Sequence, residues 1–463
     1  MSPAQPSAKR PASATDRDIS PPPLKRKAQT AISKTAVANF FTRTSEKPKD
    51  RTRWTERSPD NDSPATLLVA QYTPDDNASA VPSVLAPRRK IAAFDLDSTL
   101  ITTATGKRHA DDPADWKWWH PSVPGRLRQL YNDEGYRLVI FTNQGGLTLH
   151  PDPKSKGSKP PKNRVPAFKQ KCSAVLCQLN LPITLYAATG KDIFRKPRPG
   201  MWAEMKKDFG VAESDIDREG SVFVGDAGGR TATPKGPNAS AVAKDFSCSD
   251  RNLAHNIDLE YQTPEEFFLG EKPRAFSRDF DPAHFPFAQQ EEDNAAVVQK
   301  SDKQDVILFC GPPGAGKSTF YWNYLKPLGY ERVNQDILKS KDKCFKAAAD
   351  FLREGDSIVI DNTNPDTDTR SQWVALARKN KVSIRCVWFK TPVELCEHND
   401  AVRSLNAQLN PESRQRLPGL AFNGFKSRFK EPKAEEGFEE IVPVDFKFRG
   451  TKEEYDVWAR FWL

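Results

Sequence analysis

The octapeptide Gly311-Pro312-Pro313-Gly314-Ala315-Gly316-Lys317-Ser318 constrains this chain more than any other stretch. It fits GxxxxGK[ST] without a mismatch. The apolar run Val306–Cys310 (VILFC) precedes it, and a stretch with Phe320, Tyr321, Tyr324 and Leu325 follows. In such a loop the backbone N–H groups converge on phosphate, the lysine reaches the β- and γ-oxygens, and the hydroxyl binds a cation. That chemistry needs a buried strand on one side and a helix on the other. The sequence therefore predicts an α/β sheet around a nucleoside triphosphate site. Its contacts would be Gly311, Gly314, Gly316, Lys317, Ser318 and Thr319, with Ser318 on Mg²⁺.

A phosphate-binding loop specifies a nucleoside triphosphate but no reaction. The remaining groups must come from neighbouring strand ends. Two further apolar runs, Ser357–Ile360 (SIVI) and Ile384–Phe389 (IRCVWF), extend the sheet. Asp336, after Val333-Asn334-Gln335, is a carboxylate able to take a proton from a hydroxyl, or simply a helix cap. Asp361 follows SIVI. Arg403 reads as a lid arginine clamping the γ-phosphate, or as a surface charge. Asn423–Phe429 (NGFKSRF) interleaves aromatic and basic residues, yet phenylalanines four apart equally suit a helix core.

The same strand-then-polar pattern occurs earlier. Lys90–Phe94 ends in Asp95-Leu96-Asp97-Ser98-Thr99, Arg137–Phe141 in Thr142-Asn143-Gln144, and Ser221–Val224 in Gly225-Asp226. Lys196 lies in Phe194-Arg195-Lys196-Pro197. Open α/β sheets place ligands at the carboxyl ends of strands. Two carboxylates spaced two apart there can divide the work of nucleophile and general acid–base. Lys196 supplies a fixed cation and Asp226 an oxygen ligand for a divalent metal. The whole reads as two doubly wound parallel-sheet α/β domains.

These four pieces resemble the haloacid dehalogenase superfamily of phosphatases. The segments Asp97–Lys107, Phe141–Gln144, Arg195–Trp202, Val224–Arg230, Asp245–Arg251 and Thr263–Leu269 are similar to the 3′-phosphatase domain of the polynucleotide kinase 3′-phosphatases. That resemblance implies that Asp95 attacks a terminal 3′-phosphate, forming an aspartyl-phosphate, and that Asp97 protonates the leaving oxygen and then activates water. Mg²⁺ would sit on Asp95, the Asp97 carbonyl and Asp226, while Thr142, Asn143 and Lys196 would hold the phosphoryl oxygens. Gly228 and Gly229 stand where many superfamily members carry a second acid. The later motifs resemble the 5′-hydroxyl kinase domain of the same family, which makes Asp336 the base and Arg403 the lid arginine. Gln335 replaces an arginine common there. The implied partner is DNA with 3′-phosphate or 5′-hydroxyl ends, and the implied function is the healing of strand breaks. RNA-end healing and a non-catalytic scaffold are the alternatives.

Charge is localised. The formal net charge is +9. Residues 1–60 hold 13 Lys/Arg against 6 Asp/Glu, and residues 151–171 hold 7 against 1, so the rest of the chain is slightly acidic. The loop at 151–171, with Lys154, Lys156, Lys159, Lys162 and Arg164, would grip a DNA backbone without reading sequence. Residues 1–86 are rich in Pro, Ser and charge and predict a disordered basic tail. Lys9-Arg10 and Lys25-Arg26-Lys27 fit a nuclear localisation signal. Lys34–Phe41 loosely resembles a sliding-clamp-binding peptide, one route to repair proteins. The expected domains are 87–270 for the phosphatase, 271–302 for a linker and 303–463 for the kinase. No forkhead-associated domain is expected. Seven scattered cysteines read as free thiols. No apolar run is long enough to span a membrane. A nuclear monomer is expected.

Overall fold

The computed structural model describes residues 50–74, 88–107, 112–150, 164–234, 241–287 and 298–463. The first sheet is built from β1 (Thr52–Arg57), β2 (Leu67–Tyr72), β3 (Ile91–Phe94), β6 (Arg137–Asn143), β7 (Ile183–Ala188), β8 (Val222–Val224) and β9 (Glu260–Gln262). A small antiparallel pair, β4 (Ile101–Thr102) and β5 (Lys117–Trp118), stands beside it. The spatial order is β1-β2-β7-β6-β3-β8-β9. The five strands from β7 to β9 are parallel. Side chains alternate between the two faces of each strand. Ala92 and Phe94 of β3 face the core shared with α1 (Val123–Asn132) and α2 (Val165–Leu179). Ile91 and Ala93 face α3 (Gly200–Phe209) and α4 (Ser249–Asn256). The short α5 (Pro264–Leu269) follows β9, started by a Thr263–Glu266 capping box.

Two parts of the sequence reading need correction here. The first domain begins with β1 at Thr52, inside the stretch expected to be disordered. β2 pairs antiparallel with β7 from Leu67↔Ala188 to Tyr72↔Ile183, and Leu67, Leu68, Val69 and Ala70 are fully buried. A strand covered on both faces reads as a short continuous apolar run without alternation, and its Pro/Ser-rich neighbours disguised it. β1 then covers the edge, closing antiparallel on β2. Arg57 pairs with Glu204 and Asp208 of α3, each at 2.6 Å. The sheet is therefore mixed rather than wholly parallel.

The second correction concerns the linker. Residues 271–287 pack against folded structure. Phe276 bridges to Arg230, and Phe280 and Phe285 join the apolar cluster of Leu395, Ala401, Val402, Trp458 and Trp462. The aromatic side chains anchor this segment, and Pro282, buried, opens its short 3-10 turn.

The second sheet is fully parallel, in the order β11-β12-β10-β13-β14. Its strands are β10 (Asp305–Cys310), β11 (Glu331–Val333), β12 (Ile358–Ile360), β13 (Ser383–Phe389) and β14 (Glu440–Val444). Between them run α6 (Lys317–Phe320), which passes into a π-type turn, then α7 (Gln335–Leu338), α8 (Lys341–Glu354), α9 (Thr367–Lys379), α10 (Val393–Leu405) and α11 (Gly419–Arg428), and α12 (Lys452–Trp458) follows the last strand. Helices lie on both faces. Arg51–Leu463 form one unit.

Candidate active sites

The first site collects at the carboxyl ends of β3, β6 and β8. Asp95 follows β3 directly, its N–H donating to the Val224 carbonyl at 2.9 Å. It is almost fully buried beside Lys196. The Lys196 ammonium lies 2.5 Å from Asp95 Oδ1, 2.7 Å from the Phe141 carbonyl and 2.8 Å from Asp250 Oδ1. Asp226, after β8, completes the group: carboxylate oxygens of Asp95, Asp226 and Asp250 lie within 4.8 Å of one another.

Three carboxylates facing one ammonium leave an excess of buried negative charge. Burial, followed by Asp250 and Asp226, pushes the Asp95 carboxyl well above the usual range, against the pull of Lys196. Burial and then Asp250 raise Asp226 to about 7. Burial works against the Lys196 charge, but Asp250 and Asp95 outweigh it and hold its pKa raised. An all-oxygen group with surplus negative charge suits a hard divalent cation, which would relieve this repulsion.

Asp250 was absent from the sequence reading, which left the second acid open because of Gly228 and Gly229. The acid comes instead from the first turn of α4. Its Oδ2 accepts from the Ala227 N–H at 3.0 Å. Gly225 makes that approach possible, since a Cβ there would lie 2.3 Å from Asp250 Oδ2. An acid at a helix start ordinarily reads as a partner of the helix dipole, so the sequence signal was ambiguous.

Asp97 stands apart from the three carboxylates. Its half-exposed side chain accepts from Gln144 Nε2 at 2.7 Å and pairs with Lys171 at 3.2 Å. Between the two aspartates and β4 the chain turns sharply through Ser98, at φ +62°. Thr99 is buried, and its Oγ1 accepts from the Asp226 N–H at 3.1 Å, tying two strand ends together. Thr142 is buried in the same region, its Oγ1 accepting from Gln144 at 2.9 Å. Asn143 differs from expectation. Its side chain brackets the Lys196 backbone, donating to the carbonyl at 3.1 Å and accepting from the N–H at 2.9 Å. With both ends of its amide engaged, Asn143 acts as a support for Lys196. Of the basic loop, only Arg164, Lys169 and Lys171 are described; Lys154 to Lys162 lie outside the described residues.

The second site forms where β10 turns into α6. Gly314 and Gly316 adopt φ of +81° and +88°, and a Cβ on Gly314 would meet the Cys396 carbonyl at 2.4 Å. Lys317 is buried and donates to the Gly311 and Pro312 carbonyls, at 3.0 and 2.5 Å. Burial lowers its pKa, with Asp361 opposing. Ser318 Oγ donates to Asp361 Oδ2 at 2.9 Å, and Thr319 is the next helical residue. Arg332 of β11, unforeseen, pairs with that carboxylate at 2.6 Å.

Asn334, rather than Asp336, caps α7, accepting from the N–H groups of Asp336 and Ile337. The Asp336 carboxylate is left exposed beside Arg414, at 3.1 Å. Arg414 also donates to Ser318 Oγ at 3.3 Å. Arg403 pairs with Asp400 at 2.7 Å, and its Nε has no hydrogen-bond partner. Asp336, Arg403, Arg414 and the Gly314–Ser318 loop line a common cavity of about 1310 Å³. Phe425 and Phe429 stack at 5.2 Å with Phe425 buried, so the phenylalanines of NGFKSRF pack inward, while Lys426 and Arg428 stay exposed and Arg428 lines the same cavity. The basic clusters at 9–10 and 25–27 and the Lys34–Phe41 segment lie outside the described residues. All seven cysteines are free. Among the described residues no helix is long and apolar enough to cross a membrane.

Comparison with known proteins finds similarity over both halves of the chain. Residues 90–268 fit the polynucleotide kinase 3 phosphatase family, and residues 306–343 and 340–432 fit an AAA domain family. Over 434 residues, covering 92% of this chain and 97% of the relative, the sequence is 37% identical to a bifunctional polynucleotide phosphatase/kinase of Schizosaccharomyces pombe. A putative bifunctional polynucleotide phosphatase/kinase of Acanthamoeba polyphaga mimivirus is 32% identical, over 81% of this chain and 89% of that protein. The polynucleotide 3′-phosphatase ZDP of Arabidopsis thaliana is 33% identical over 39% of this chain and 24% of its own length. With one strand-end centre rich in carboxylates, one phosphate-binding loop and this similarity along nearly its whole length, the chain belongs to the bifunctional polynucleotide phosphatase/kinase family.

Proposed function

We propose that the protein heals DNA strand breaks, removing 3′-phosphates at the first site and phosphorylating 5′-hydroxyls with ATP at the second. The observation that carries this reading is the pairing, in one chain, of a buried Asp95–Lys196–Asp250 cluster with a phosphate-binding loop that shares its cavity with Asp336. In the first reaction the Asp95 carboxylate attacks phosphorus and becomes an aspartyl-phosphate. Asp97, oriented by Gln144 and Lys171, gives a proton to the leaving 3′-oxygen and then takes one from water. Lys196 and the Thr142 hydroxyl stabilise the phosphoryl oxygens. Asp95, Asp226 and Asp250, with the Asp97 carbonyl, would hold Mg²⁺, which when bound offsets charge on the phosphoryl group.

In the second reaction Asp336 takes the proton of the 5′-hydroxyl. Lys317 turns from its loop carbonyls to the β- and γ-phosphates, and Ser318 would hold a second Mg²⁺. Arg403 and Arg414 flank the cavity as cations for the transferring phosphoryl group. DNA rather than RNA is favoured by the basic tail, whose two clusters suit nuclear import, and the tail is also where we expect repair proteins to bind. We expect a monomer.

The test is a nicked duplex with 3′-phosphate and 5′-hydroxyl ends, incubated with Mg²⁺ and ATP, with RNA ends in parallel. Asp95→Ala should abolish phosphate release and spare the kinase, and Lys317→Ala the reverse. No turnover by the parent chain would sink the reading, and equal turnover of RNA would remove the preference for DNA.

A further inference from the structure

The two halves meet beside the first site. The segment after α12 runs back to the phosphatase half, where its backbone is held by two side chains. Asn256, the last residue of α4, donates through Nδ2 to the Phe461 carbonyl at 2.7 Å and accepts from the Phe461 N–H at 2.8 Å. The same Nδ2 donates to the Pro197 carbonyl at 2.8 Å. Arg198, buried, donates through Nε to the Trp462 carbonyl at 3.0 Å and through Nη1 to the Lys191 and Asp192 carbonyls at 2.6 Å.

These attachment points are one and two residues from Lys196, and α4 carries Asp250 at its other end. The Phe461–Trp462 backbone thus braces both elements that hold the Asp95–Lys196–Asp250 cluster. Without this segment the half-buried Asn256 amide and the buried Arg198 guanidinium each lose a backbone partner that holds them in place, so both would shift. On the kinase side, Trp458 Nε1 donates to Asn399 Oδ1 at 2.7 Å, and Asn399 Nδ2 to the Gly314 carbonyl at 3.0 Å.

We propose that Phe461 and Trp462 of the kinase half complete the phosphatase site, with Asn256 and Arg198 as positioning residues acting through Lys196 and Asp250. The proposal rests on the phosphatase reading of that site. It is tested in the full chain with Asn256→Ala, with a chain ending at Arg460, and with both changes together, using a 3′-phosphorylated duplex. Each single change should lower phosphatase kcat about tenfold while KM and kinase turnover stay within about twofold. Because both changes break the Asn256–Phe461 contact, the combined loss should be smaller than the product of the two single losses. Full phosphatase kcat in both single variants, or multiplying losses, would each overturn the inference. Retained kinase turnover reports that a variant is folded, and the shortened chain repeats the test with Asn256 in place. A parent chain that releases no phosphate would instead overturn the reading of the site.

Discussion

Asp250 sets how much negative charge the first centre carries, and its position depends on a single missing side chain at Gly225. Replacing it with asparagine removes one of three carboxylates. Divalent-cation affinity, followed by calorimetric titration, should fall at least about tenfold, with phosphatase turnover reduced and kinase turnover unchanged. Gly225→Ala should reach the same end sterically, since its Cβ would sit on the Asp250 carboxylate. Phosphatase loss without kinase loss is the expected result. In the second centre, Arg414 bridges the acceptor carboxylate and Ser318. Arg414→Ala should lower kinase kcat about 10- to 1000-fold if the guanidinium stabilises the transferring phosphoryl group, with phosphatase turnover as the internal control. An unchanged kcat would make it a surface ion pair.

At the scale of elements, β2 matters most. Four successive buried residues, Leu67 to Ala70, fill both faces of the sheet, and their strand covers the edge of β7. Each fully buried leucine or valine contributes about 1.5–3 kcal/mol. A chain beginning at Arg88 should therefore expose β7 as an unpaired edge and aggregate, whereas one beginning at Asp50 should stay soluble and active. Light scattering and phosphatase assays on the two chains distinguish the outcomes. Active, monomeric protein from the shorter chain would contradict the role given to β2.

At the scale of the whole molecule, the aromatic junction contains a titratable group. His398 of α10 is fully buried against Phe280 and Trp458. Its Nε2 donates to the Trp458 carbonyl at 2.8 Å, and its Nδ1 has no partner. Protonation would add a buried donor with nothing to accept it, and burial holds the pKa down at about 4. Between pH 6.5 and about 4 the unfolded chain binds a proton that the folded chain does not. Stability should thus fall with pH across that window, by about 1.4 kcal/mol per unit and on the order of 3 kcal/mol in all. Denaturant titrations of the parent and of His398→Gln from pH 7 to pH 4.5 measure this, and the variant should show the shallower slope.

Read alone, the sequence determined the chemistry that depends on short-range spacing. Gly311 to Ser318, the Asp95/Asp97 pair and the apolar runs behind them are local patterns, because a strand followed by a polar turn positions its own residues. The two α/β sheets followed from the same runs. Tertiary structure alone decided which distant residues meet. Asp250 reaches Asp95 across 155 positions of sequence, Arg414 reaches Asp336, Asn143 turns to support Lys196, and Leu67–Tyr72 finds β7. These pairings depend on where loops close, and loop closure leaves no periodic mark on the residues it joins. The two phosphoryl-transfer centres could thus be located in the sequence. Their full sets of charges, and the kinase-half segment that braces the first of them, belong to the fold.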